Sequence, residues 1–138
     1  MTTEELKNHI ATYCASRPEI VACYLFGSRA AGKERPCSDV DLAILLDYSA
    51  PKSAYSRLKM DFYGDIAKII RMDIHILIMN EAGELALGEV IGEGARIFER
   101  DMELLESFIT RKIPLIAEFT YYSELFRNKL VERYKGDS

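Results

Sequence analysis

Cysteine is scarce, with three in 138 residues. Cys14, Cys23 and Cys37 are odd in number and lack metal-ligand spacing, which argues against a disulfide framework and against a cysteine metal site. Cys14 and Cys23 are expected in the core as small apolar groups, and Cys37 in an exposed loop. Long apolar runs are missing too: stretches such as Leu42–Leu46 fall far short of the twenty or so residues that cross a bilayer. Thr2 to Lys7 is polar and acidic rather than a basic-then-apolar leader, so the expected location is the cytoplasm, with no membrane partner. There is no excess of positive charge either. The formal net charge is −4, which argues against a broad surface for long nucleic acid but leaves room for a small anion held by a metal and a few local cations. No internal repeat or low-complexity tract is present.

What the chain does have is 49% hydrophobic residues in dense, patterned segments, enough for one globular domain with a real core. Residues 1–138 read as a single domain, with 101–138 as a C-terminal helical segment. Thr2 is a candidate cap for a helix carrying Leu6, Ile10, Tyr13 and Cys14 on one side, ended by Arg17-Pro18. Ile20 to Phe26 reads as a strand closed by Gly27. A short helix or turn is expected over Ser28 to Ala31, then a charged loop from Lys33 to Pro36. Asp39 to Leu46 reads as a central strand covered on both faces, because it is apolar at almost every position after Asp41. A helix follows from about Ala54 to Ile70, with Leu58, Phe62 and Ile66 on one face. Met72 to Met79 is expected as a third strand, residues around Leu85 to Ile91 as a short helix, and Ala95 to Phe98 as an edge strand. From Asp101 the pattern is helical, and Pro114 predicts either a kink or two helices, since it removes a hydrogen bond and crowds the carbonyl of Thr110. The fold class is therefore α/β (α+β): a small mixed β-sheet with flanking helices.

The chemistry gathers in Gly27 to Leu46. A Gly-Ser pair follows a strand, ten residues intervene, and Asp39-Val40-Asp41 opens the next strand. Side chains at i and i+2 of a strand share a face, about 7 Å apart along the backbone, so the two carboxylates can hold one divalent cation. Hard oxygen donors suit Mg²⁺, or Mn²⁺, better than zinc. Gly27 and Ser28 can offer backbone N–H groups and a hydroxyl to phosphate. Phosphate donors beside a carboxylate-held metal point to nucleotide chemistry. Taken singly, each residue also has a plainer reading: Asp39 and Asp41 as a turn cap and a surface acid, Gly27 as a strand-ending glycine, Arg29 as half of a surface ion pair. Against the first of these, Asp41 heads into a buried strand, where an uncompensated carboxylate is costly.

This signature, Gly27-Ser28, ten residues, then Asp39-Val40-Asp41, resembles the nucleotidyltransferase superfamily of DNA polymerase beta, and within it the minimal nucleotidyltransferase (MNT) antitoxin family. The similarity runs from the first helix to the strand after Gly94, with Ala31 departing from the polar or basic residue relatives often carry. The resemblance implies the nucleotidyltransferase fold and a third carboxylate on a later strand, which Asp73 fits as the only acid in RMDIHILIM. It implies Asp39, Asp41 and Asp73 as catalytic and metal-binding residues, and Gly27, Ser28 and Arg29 as nucleotide-binding ones, with ATP as co-substrate. The implied activity is Mg²⁺-dependent transfer of AMP to a tyrosine hydroxyl of a cognate HEPN-domain RNase toxin. The protein would then be the antitoxin of a type VII-like pair, in a hetero-oligomer with that toxin. Two other readings stay open: neutralisation of the toxin by binding alone, and nucleotidyl transfer to a small molecule. His75 shares a face with Asp73 and either orients a carboxylate, lines the nucleotide pocket, or is hydrogen-bonded structure. Tyr121, Tyr122, Phe126 and Tyr134 either cover the core or dock a partner.

Overall fold

A computed structural model describes residues 1–27 and 39–136. The expected helix or turn over 28–31 and the charged loop lie outside the described residues, as do Ser28, Arg29, Cys37 and Ser38. In chain order the elements are α1 (Thr3–Ala15), β1 (Ile20–Phe26), β2 (Val40–Leu46), α2 (Tyr55–Ile70), β3 (Ile74–Ile78), α3 (Glu84–Glu93), β4 (Ala95–Glu99) and α4 (Met102–Gly136), with short 3-10 turns before α2 and α3.

The four strands lie in the order β3-β2-β1-β4. β1 is antiparallel to both its neighbours, whereas β2 and β3 run parallel. A parallel pair needs a crossover, and α2 supplies it. The alternation of side chains along β2 divides the core in two. Val40, Leu42, Ile44 and Leu46 face one cluster with Leu6 and Ile10 of α1 and Leu58, Phe62 and Ile66 of α2. Ala43 and Leu45 face the other, with Leu87 and Val90 of α3 and Leu105 and Phe108 of α4. Cys14 and Cys23 are buried free thiols, as the sequence suggested.

Local chemistry holds the ends of these elements. The Thr2 hydroxyl accepts from the Glu5 N–H and caps α1, satisfying one of the helix's orphan donors. At the other end of α1, Arg100 reaches back from the far edge of the sheet. Its guanidinium donates to the carbonyls of Cys14, Ala15 and Arg17, and to that of Ile20 at the head of β1, a cation placed where the helix dipole is negative. Asn80 clips the end of β2 with both halves of its amide: Oδ1 accepts from Leu46 N at 2.8 Å, and Nδ2 donates to Leu46 O at 3.0 Å.

One expectation needs correction. The third strand is shorter than Met72 to Met79, because Met79 already belongs to a 3-10 turn and Asp73 stands just before the strand. Of the two outcomes expected at Pro114, division into two helices is not seen: α4 is one 35-residue helix with Pro114 inside it. Thr110 and Pro114 are both exposed residues, away from the core where a broken hydrogen bond costs most.

Candidate active site

Three strand ends converge at one end of the sheet. The C-terminus of β1 lies beside the N-terminus of β2 through the pairing of Phe26 with Asp41. The N-terminus of β3 lies on the other side of β2 through the pairings of Val40 with Ile74 and Asp41 with His75. Asp39, Asp41 and His75 therefore share the sheet face of Ala43 and Leu45, the face that α3 and α4 cover further along. Asp73 sits in register beside Asp39, and its carbonyl accepts from Val40 N at 2.9 Å. The register places Asp41 and His75 on one face, and Asp39 meets them there through His75.

Among these four, the structure brings three into direct contact. His75 Nε2 lies 3.2 Å from Asp39 Oδ2, and His75 Nδ1 lies 3.3 Å from Asp41 Oδ1. One imidazole thus spans both carboxylates, and both contacts are donor contacts only when both ring nitrogens carry protons. Asp73 is exposed beside them. Among the described residues no three His, Cys, Asp or Glu side chains already stand as a metal-ligand set. The donor chemistry nevertheless suits a hard cation: two carboxylates flank one imidazole, and a third lies one strand away.

Asp41 is the most constrained of the group. Its side chain is about a quarter exposed, against 70% for His75. Burial pushes its carboxyl above the ordinary aspartate value, the Asp39 charge adds to that, and His75 pulls the other way. Gly27 explains how a carboxylate fits there at all. It adopts φ +76°, and a Cβ built on it would overlap Asp41 Oδ2. Glycine is needed at this position twice over, for a left-handed backbone and for the space it leaves to Asp41. The sequence suggested Gly27 as a place for close approach of a ligand. Its closeness to Asp41 was hidden, because the two meet only through the antiparallel register of β1 and β2. The same is true of His75, whose contacts depend on the parallel register of β2 and β3. Tyr121, Tyr122, Phe126 and Tyr134 are far from being core: all four are exposed.

The family model described as polymerase beta, nucleotidyltransferase matches residues 8–103. No curated protein sequence matches the chain significantly. Several solved structures are similar. A chain of a toxin–antitoxin complex crystallised with AMP-PNP aligns at 18% identity and TM-score 0.72, covering 91% of this chain and 98% of that one. A chain of the MntA-HepT toxin–antitoxin complex aligns at 16% identity and TM-score 0.68, covering 94% and 99%. A chain from the complex of a tri-AMPylated Shewanella oneidensis HEPN toxin with its MNT antitoxin gives the same identity, coverage and score. At these identities the likeness establishes a shared fold.

Proposed function

The chain belongs to the polymerase beta nucleotidyltransferase family, and from that premise we propose that it moves AMP from ATP onto a tyrosine hydroxyl of a HEPN-domain toxin, silencing it. The observation that carries this reading is the meeting of Asp39 and Asp41 on one imidazole at the open end of an otherwise apolar sheet, with Asp73 in register beside them. The likeness to chains solved in toxin–antitoxin complexes, one of them with an AMPylated HEPN toxin, supports the choice of acceptor and of partner. The protein works in this reading as an antitoxin in the cytoplasm, in complex with its toxin.

Asp39, Asp41 and Asp73 would hold Mg²⁺, which when bound supplies positive charge to the triphosphate and to the oxygens entering and leaving phosphorus. Ser28 and Arg29, with the backbone at Gly27, would bind the triphosphate. The tyrosine oxygen attacks the α-phosphorus, the new P–O bond forms in line with the bond to the β-phosphate, and pyrophosphate departs with that bond's electrons. Asp73, the exposed carboxylate, takes the hydroxyl proton as the acceptor arrives from outside. Asp41, about a quarter exposed and close against Gly27, is the least free of the three carboxylates to move. His75 must swing away from Asp39 and Asp41 to free their oxygens for the cation, and its exposure makes that movement cheap. An added AMP places bulk and negative charge where RNA phosphates would approach the toxin.

Intact-mass spectrometry of the HEPN partner after incubation with the chain, ATP and Mg²⁺ tests the proposal. The expected result is a gain in AMP-sized steps, abolished by Asp39→Asn with Asp41→Asn. The alternative is neutralisation by binding alone. An unchanged mass in a stable, inactive complex would favour it.

A further inference from the structure

The second half of α4 is built against the usual logic of a helix. Apart from Ser123, residues 117–136 are all exposed, although Phe119 and Leu125 keep only 39% of their surface in water. A helix of that length is marginal in water without a partner for its apolar face. The face exists: Leu115, Phe119, Tyr122 and Phe126 recur at four, three and four residues, one stripe along the helix. The same stripe continues into Lys129 and Arg133. The stripe lines a groove of about 490 Å³ that reaches Glu84 at the start of α3. A second groove of about 510 Å³ runs between α3 and α4 where Gly88 lets Ile116 come close, and Glu84, Glu89 and Glu93 stand along it.

The charges divide in a way that the fold does not use. The acids Glu84, Glu89 and Glu93 belong to α3, and the bases Arg127, Lys129 and Arg133 to the tail of α4, where they stand among Glu118, Glu124 and Glu132. Among the described residues neither set is engaged in an ion pair. A rigid helix cannot bend its own tail back onto α3, but a second copy can supply one. We infer that this face is a two-fold interface between copies of this chain. The α4 tails pack antiparallel about the level of Tyr122, and each tail carries its bases to the other copy's acid-lined groove. Antiparallel packing centred there sets Phe119 near Phe126 of the second copy. It also sets Lys129 near the level of the second copy's Ile116, beside which α3 presents its acids. Such an isologous contact is self-complementary in shape and in charge, as a two-fold interface must be. It would also bury the aromatic stripe.

Analytical ultracentrifugation of the full chain alone, across a concentration series, is the experiment. A dimer is expected, with Phe126→Asp weakening it at least about tenfold. Two charge-reversed variants give the sharper result. Glu89→Lys with Glu93→Lys makes groove and tail both basic; Lys129→Glu with Arg133→Glu makes both acidic. Each variant alone should be monomeric, and an equimolar mixture of the two should form a heterodimer, because every groove then meets a tail of opposite sign. All these positions are exposed, so the dilute, monomeric variants should unfold at the wild-type temperature. A wild-type chain that stays monomeric throughout, a dimer indifferent to these substitutions, or two variants that fail to rescue each other would overturn the inference. If the chain is monomeric and the HEPN partner binds it only while Phe126 is intact, the face belongs to that partner instead. None of these outcomes bears on AMP transfer, which the mass measurement reads separately.

Discussion

The open end of the sheet and the tail of α4 are opposites. At the sheet end, polar groups sit among apolar ones: Asp41 is only a quarter exposed, and its neighbour must be a left-handed glycine to admit it. In the tail, apolar groups stand in water, with Phe126 65% and Tyr134 83% exposed. Between them lies a domain that obeys the ordinary rule, with no buried polar or charged side chain among its described residues. Each departure costs folding free energy that the rest of the core offsets. The two departures ask for different remedies. A crowded carboxylate is relieved by a cation or a proton, an exposed aromatic stripe by another protein surface.

The contrast can be strained at four points. Phe62 is fully buried between α1 and the sheet, and Phe62→Ala should lower unfolding free energy by about 3–5 kcal/mol, read by urea denaturation. It anchors the scale for the ordinary core. Gly27→Ala should cost about 1–2 kcal/mol for its left-handed φ alone, and by displacing Asp41 it should also depress nucleotidyl transfer more than stability predicts. If activity and stability fell in proportion, the link from Gly27 to Asp41 would lose its meaning.

Asp41→Asn should go the other way on stability. Its folded carboxyl titrates above the ordinary value, chiefly through burial, so the native state resists the charge more than the unfolded chain does. The penalty is fully present above the folded pKa, shrinks as pH falls through it, and vanishes once both states are protonated, below about pH 3. The variant should therefore melt higher at neutral pH, with the gain gone in acid, while transfer is lost. A lower melting point at neutral pH would mean that His75 and neighbouring dipoles compensate the charge fully. The smallest effect belongs to the tail: Phe126→Ser should change unfolding free energy of the dilute, monomeric chain by less than about 0.5 kcal/mol.

How much of this was legible depended on how far apart in sequence the interacting residues lie. β1 was readable to its last residue because an apolar run stops at Gly27, and α2 because Leu58, Phe62 and Ile66 repeat at helical spacing. β3 was read too long, since Met72 and Met79 look like strand residues but belong to the turns at either end. The placement of Asp39 and Asp41 on one face follows from strand alternation alone. The approach of Gly27 to Asp41 and the bridge made by His75 do not, because both depend on the register between strands. Helical period in α4 showed an apolar stripe, yet period alone cannot say whether a stripe meets its own sheet or open water.

The central claim is that the Asp39–Asp41 end of the sheet transfers a nucleotidyl group to a protein hydroxyl. Its most direct test is label transfer to the HEPN partner from ATP labelled at the α-phosphate, run beside ATP labelled at the γ-phosphate. The expected result is α-label on the partner, no γ-label, and loss of the α-label in the Asp39→Asn, Asp41→Asn variant. Label arriving from the γ-phosphate, or α-label that persists without both aspartates, would contradict it.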